Sequence, residues 1–126
     1  MLLFRAALAD AGFPYQSQVK ISRKSAFGEL GNAAKKEIEI IYKESIEKCA
    51  ANPGASDFIV VTDVAPSDAG DFSNASNELL SIKDYISTLG FPRNMIFTDV
   101  IRRKEGVQAI SPNVVIELSC RRKAEK

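Results

Sequence analysis

Four consecutive apolar residues, Phe58-Ile59-Val60-Val61, stand between Asn52-Pro53-Gly54 and the Pro, Ser, Asp and Gly-rich stretch that opens at Ala65. A short run without polar alternation, bounded by turn formers, reads as a strand buried on both faces. A chain with such a strand has to lay other elements over it, and the flanking segments have the pattern to do so. Ala34, Ile38, Ile41 and Cys49 share one face of a helix predicted from Asn32, its expected N-cap, to about Ala50. Ile46 falls at the border of that face, and Lys35, Lys36, Glu39, Lys43, Glu47 and Lys48 populate the solvated remainder. Leu79, Ile82, Ile86 and Leu89 recur at helical spacing over a second helix, predicted from about Asn77 to Leu89. Gly90 is placed to end it with a positive φ, Phe91 to supply the apolar contact, and Pro92 to prevent continuation.

The remaining segments complete an α-β-α-β-α-β-β order. Leu2 to Ala11 reads as a short amphipathic helix stopped by Gly12 and Pro14, and Gln18 to Ser22 as a strand in which Val19 and Ile21 alternate with polar neighbours. Ser25 to Gly31 reads as a loop, and so do residues 65–76, a length that in a compact domain is usually functional or mobile. Met95 to Ile101 is the next strand, and Arg102 to Gly106 a tight basic turn. Val107 to Cys120 returns as a strand broken at Ser111-Pro112, with Val114 to Leu118 its firmest part. The expected fold is α/β in the α+β sandwich sense. Right-handed crossovers give a mixed sheet of about four strands with the helices on one face and a hairpin at the end. The chain of 126 residues supports one core. The expected division is an N-terminal helix at 1–14, the core at 15–120 and a basic, frayed tail at 121–126.

Composition narrows the chemistry. Lys+Arg 17 against Asp+Glu 16 leaves a net charge of +1, without the basic excess of a nucleic-acid binder. No apolar run reaches the length of a membrane-spanning helix, so no direct membrane insertion is expected. The opening Met-Leu-Leu-Phe is too short for a secretory apolar region and lacks a cleavage site, so any export signal is expected to have been removed or never present. Histidine is absent, which removes the commonest general base, the commonest transition-metal ligand and the usual third of a hydrolytic triad. Cys49 and Cys120 can form one disulfide in an oxidising compartment, or stand as two buried thiols. Binding is favoured over catalysis, and no cofactor is expected.

The strongest local constellation is Thr62-Asp63 with the loop and helix start that follow. Open α/β sheets place ligands at the carboxyl ends of their strands. The amino end of a helix opening near Asn77 would add free backbone N–H groups and positive dipole character. Asp63 would then take an ammonium group and the N–H groups a carboxylate, as a receptor for a zwitterion. The plainer alternative is that Asp63 caps the strand end through an Asx-turn. Asp63, Asp68 and Asp71 lack the spacing and closing Glu of a calcium loop, and no carboxylate pair sits at a readable separation for glycoside hydrolysis. Gly28 and Gly31 lack the Lys-Ser/Thr of a phosphate loop. Arg102-Arg103-Lys104 and Arg121-Arg122-Lys123 have no interleaved aromatics and read as solubilising strand ends at opposite ends of the final hairpin.

Four pieces of the chain carry a resemblance to the OmpA-like domain of outer-membrane and flagellar-stator (MotB-type) proteins. Ser25-Ala26-Phe27-Gly28-Glu29-Leu30 is similar to the family's turn into its first long helix. Phe58 to Asp63 resembles the apolar strand ending in Gly-His-Thr-Asp, with Val60-Val61 in place of Gly-His. Asn77-Glu78-Leu79-Leu80-Ser81 resembles the N-x-x-L-S that opens the second helix, followed by Tyr85-Ile86 and Gly90. Asn113 to Leu118 resembles the closing N-R-R-V-E-I strand. About four fifths of the chain is covered. The resemblance implies a β-α-β-α-β-β fold and binding of peptidoglycan, with the Thr-Asp aspartate and an arginine holding the diaminopimelate of the peptide stem.

The chain departs from that pattern at informative places. Asp63 keeps the aspartate, but the arginine position is Asp84, with Lys83 one residue earlier. The paired arginines of the last strand are Val114 and Val115, and the G-x-G expected after the third strand is absent. The leading expectation is a non-enzymatic domain of the periplasm or cell envelope, a cytoplasmic location staying open. Thr62, Asp63, Asn77 and Lys83 are its ligand-binding residues, and peptidoglycan or another envelope protein its partner. The alternative is a member of the same fold serving as a protein–protein module in a secretion or motility assembly, with an apolar surface over Val114 and Val115. A homodimer is compatible with either. An enzyme would need a carboxylate, lysine or cysteine centre, and no nucleophile–base pair is visible.

Overall fold

A computed structural model describes residues 14–22, 30–51, 55–64, 69–102 and 113–123. The amphipathic helix expected before Pro14, most of the Ser25–Gly31 loop and the basic turn after Arg102 lie outside the described residues. The elements are β1 (Pro14–Ser22), α1 (Asn32–Lys48), β2 (Ser56–Val64), α2 (Ala69–Thr88), a 3-10 turn (Arg93–Met95), β3 (Ile96–Arg102) and β4 (Asn113–Arg121). They build a four-stranded mixed sheet in the order β1-β4-β2-β3. β4 runs antiparallel to both β1 and β2, while β2 and β3 are parallel. No helix among the described residues is long and apolar enough to cross a membrane.

One face of the sheet carries the core. β1 and β4 alternate so that Ile21 and Val19 meet Val114 and Ile116 across the ladder, with Leu118 and Cys120 continuing the buried row. β2 adds Phe58 and Val60, and β3 adds Ile96. Onto this face α1 presses Ala34, Ile38 and Ile41, and α2 presses Leu79, Ile82 and Ile86, all in one buried cluster. The helix stripes are therefore as the periodicity predicts. Gly90 ends α2 with φ +116°, its N–H donating to the Ser87 carbonyl, and Phe91 packs edge-on against Phe58.

The structure corrects five expectations. There is no terminal hairpin: β4 inserts between β1 and β2 instead of pairing with β3. In that slot both of its edges find antiparallel partners, and its row of Val114, Ile116 and Leu118 lies under the helices. β2 is not sealed on both faces, since Ile59 and Val61 are only half-buried where Phe58 and Val60 are fully buried; both helices pack on the same side. β1 begins at Pro14 and is longer than the stretch around Val19 and Ile21. Gly31, not Asn32, is the N-cap of α1. The tail does not fray at residue 121. Arg122 forms a bridge with Cys49, and the Lys123 N–H donates to the Lys48 carbonyl at 2.9 Å.

The open alternative for the cysteines resolves to a disulfide. Cys49, directly after α1, is bonded to Cys120 in β4 with a Cα–Cα distance of 5.7 Å. Backbone bonds flank it: Ala50 N–H to the Arg121 carbonyl at 2.8 Å, and Arg121 N–H to the Ala55 carbonyl at 2.9 Å. At the far side of α1, Glu44 accepts hydrogen bonds from the Tyr15 hydroxyl at 2.8 Å and from Ser17 at 2.7 Å. Arg122 lies over the Tyr15 ring. Helix, edge strand and chain end are thus joined at one end of the sheet.

Candidate functional site

The carboxyl end of β2 presents Thr62 and Asp63. Strand alternation places Thr62 on the helix-covered side with Phe58 and Val60, and gives Asp63 the parity of Ile59 and Val61. Both are nevertheless buried, Asp63 to 7% exposure, so this end of the strand is enclosed on both sides. The Thr62 hydroxyl donates to the Asn113 carbonyl at 3.0 Å, pinning the end of β2 to the start of β4. A buried carboxylate requires charge or hydrogen-bond compensation, and Asp63 has an interaction partner in the fold.

The helix that follows starts earlier than its apolar stripe suggests. α2 begins at Ala69, so residues 69–76 are helix and only residues 65–68 connect it to β2. Asn77 is therefore in the third turn, and its carbonyl accepts a hydrogen bond from Ser81. The backbone N–H groups left open by helix geometry belong to the first turn, Ala69 to Phe72, and not to the surroundings of Asn77. The missed signal was present: Phe72 is half-buried and Ala75 fully buried, at the spacing that extends the Leu79-Ile82-Ile86 stripe toward the amino end.

Lys83 is half-buried on α2, about 9 Å along the axis from Asn77. Asp84, at the position where the family resemblance leads one to look for arginine, is exposed and ion-paired with Arg93. Arg93 stands just before β3, whereas Asp63 is level with Ile101 near the other end of that strand. The acidic substitution is thus absorbed by a local pair and turned away from Asp63. Thr62 and Asp63 are neighbours on β2, while Asn77 and Lys83 both stand on α2.

Glu78 is a further buried carboxylate that sequence reading did not single out. It lies one turn before Ile82 on the core side of α2 and, like Asp63, has a partner in the fold. Its signal in the sequence was position alone, since residue 78 falls within the apolar stripe. Elsewhere, Asp57 at the amino end of β2 has its carboxyl pushed above the usual range by burial. Tyr15 and Tyr85 are raised above the usual phenol value, chiefly by hydrogen bonds to Glu44 and Glu39.

The last strand divides the two valines. Val114 is fully buried in the core, while Val115 is half-buried on the side away from the helices. The apolar surface expected over both therefore does not form at Val114. Instead Val115 shares the uncovered face with Ile59, Val61, Phe97 and Ile101, the last two 49% and 42% exposed.

No family model and no curated protein sequence matches the chain. Among solved structures, the OmpA-like domain of FopA1 from Francisella tularensis subsp. tularensis SCHU S4 is similar at a TM-score of 0.60 and 16% identity, over 91% of this chain and 79% of that one. The periplasmic domain of Helicobacter pylori MotB is similar at a TM-score of 0.57 and 13% identity, over 84% of this chain and 76% of that one. A shorter form of the same MotB domain gives a TM-score of 0.57 at 12% identity. The chain has the OmpA-like, MotB-type fold.

Proposed function

We propose that this chain is a non-enzymatic binding domain of the bacterial cell envelope that holds a peptide-stem amino acid of peptidoglycan at the carboxyl end of β2. The observation that carries this reading is Asp63, a buried carboxylate in the strand-end position where the resembling family holds diaminopimelate. Asp63 takes the ammonium group of the ligand, with Thr62 fixing the strand end through Asn113. The ligand's carboxylate goes to the opening turn of α2, whose amides carry the positive end of a 20-residue helix. Lys83 is the stand-in for the absent arginine. Side chains on a helix lean toward its amino terminus, so a long lysine side chain on α2 leans toward the β2 end that bears Asp63. Asn77, inside the helix, serves through its side chain and not through its amide. The Cys49–Cys120 disulfide fits an oxidising compartment such as the periplasm.

The test is co-sedimentation with purified peptidoglycan sacculi, comparing wild type with Asp63→Ala and Lys83→Met. Wild type is expected in the pellet, Asp63→Ala in the supernatant, and Lys83→Met in between, with circular dichroism confirming that all three are folded. Wild type that stays in solution while folded removes peptidoglycan as the ligand. A second reading, a protein–protein module on the same fold, is favoured by the uncovered face of Ile59, Val61, Val115, Phe97 and Ile101. A folded chain that ignores sacculi but binds an envelope protein, with that binding surviving Asp63→Ala and lost on Phe97→Ser, would favour that face over the strand-end site.

A further inference from the structure

The opposite end of the sheet carries a hollow that the wall-binding reading does not use. It lies where the end of α1, the end of α2 and the end of β4 converge, and it has a volume of about 510 Å³. Tyr42, Ile46, Cys49, Ala50, Gly90 and Phe91 form its floor and walls, and Lys123 stands on its rim. Seven residue steps along β2 lead from Ser56, at this end, to Asp63 at the other, which is about 23 Å of extended strand. The two places are independent.

Three observations make this a built site. Its surface is mainly apolar, and Ile46 is 57% exposed, a large aliphatic side chain held in solvent at the edge of the hollow. Its polar side chains are donors in the right place, with no acidic side chain among the described residues that line it. The Lys123 ammonium reaches across to the Ile46 carbonyl at 3.4 Å, leaving donor capacity for a ligand, and the Tyr42 hydroxyl borders Gly90. Finally, its base is fixed before any ligand arrives. The Cys49–Cys120 disulfide, the Lys123 N–H to Lys48 carbonyl bond and the Ala50 N–H to Arg121 carbonyl bond all tie this corner together. A preformed apolar hollow of this size with a few convergent polar groups is the usual form of a small-molecule site.

We infer that this hollow binds a free carboxylic acid with a single apolar chain of medium length. The chain lies against Ile46, Phe91 and the disulfide, and the carboxylate pairs with the Lys123 ammonium, with the Tyr42 hydroxyl as second donor. Charge complementarity selects the head group: a cation or a neutral amide gains nothing from a lysine rim without an acidic partner. The negative end of α1 is offset by the same lysine, which bonds one of its last carbonyls.

The test is an amide NMR titration of the full chain with sodium decanoate below its micelle concentration, with decanol as the uncharged control. Decanoate is expected to give saturable shifts at Ile46, Ala50, Gly90 and Lys123, and to bind about tenfold more tightly than decanol, as befits one charge-assisted hydrogen bond. Lys123→Met should bring decanoate down to the affinity of decanol and leave decanol unchanged. Ile46→Ala, at an exposed position, should weaken both ligands alike. Absence of saturable shifts at this corner, or decanoate binding unmoved by Lys123→Met, overturns the inference. Flotation with phosphatidylglycerol vesicles that Lys123→Met abolishes, in a chain that ignores decanoate, would assign the corner to a lipid surface and overturn it as well.

Discussion

Removing the disulfide gives the sharpest test of how the fold is held. The bond joins residues 71 apart, so it closes most of the chain into one loop. In the chain-entropy description such a cross-link removes about 15 cal/mol/K from the unfolded ensemble, or about 4 kcal/mol at 25 °C. A domain of this length loses stability with temperature at about 0.26 kcal/mol/K near its midpoint, so Cys49→Ala/Cys120→Ala should melt roughly 15 °C lower. Both sulfurs are buried, so the cavity left by the alanines adds to the loss. The fold itself should survive, because the backbone bonds from Ala50, Arg121 and Lys123 hold the same corner without the sulfurs. Thermal and urea unfolding would be followed by circular dichroism for oxidised wild type, reduced wild type and the double variant. The urea slope should rise when the bond is absent, since the uncrosslinked chain exposes more surface. The reasoning is refuted if the variant melts with the oxidised wild type, or if reductant leaves the wild-type midpoint unmoved.

Other perturbations follow from single sites. Asp57 has a buried Oδ1 without a hydrogen-bond partner among the described residues, and burial raises its carboxyl pKa. Below the unfolded value of 3.8 both states are protonated and nothing is lost; the penalty builds as pH rises from there toward the higher folded value and is complete above it. Asp57→Asn should therefore raise the melting temperature at neutral pH, with the gain fading as pH falls below 3.8. Gly90→Ala should cost about 1–2 kcal/mol in urea unfolding, because its φ of +116° disfavours a side chain and the new Cβ would stand 3.1 Å from the Tyr42 hydroxyl. Part of that loss should return in a Tyr42→Phe background. Ile82→Ala, under the centre of α2, should cost about 2–5 kcal/mol by the same assay. Asp84→Ala should change stability by less than about 1 kcal/mol, its pair with Arg93 being exposed.

Legibility in the sequence followed the range of the force that decides each feature. The stripes Ala34-Ile38-Ile41 and Leu79-Ile82-Ile86, the end of α2 at Gly90 and the apolar run of β2 are local patterns, and all are realised. The start of α2 was hidden because residues 69–76 carry Gly, Asp, Ser and Asn, weak helix formers that continue the Pro, Ser and Asp-rich composition of the connection before them. Their helix is stabilised by burying Ala75 and Phe72, a contact between distant segments. At the candidate site, the placement of Thr62 and Asp63 at a strand end was readable. The burial of Glu78, and the turning of Asp84 toward Arg93, were not.

What the sequence by itself determined was the kind and order of the described elements, the faces that the two helices bury, and the absence of histidine from the chain. Those depend on periodicity, turn residues and composition, which a chain carries in its neighbours. Only the tertiary structure decided that β4 lies between β1 and β2 rather than beside β3, that Cys49 meets Cys120, and that Val114 faces the core while Val115 faces out. Each of these is a choice among pairings of similar local quality. The choice is made by which arrangement lets one apolar row lie under both helices while every central strand edge finds a hydrogen-bonding partner.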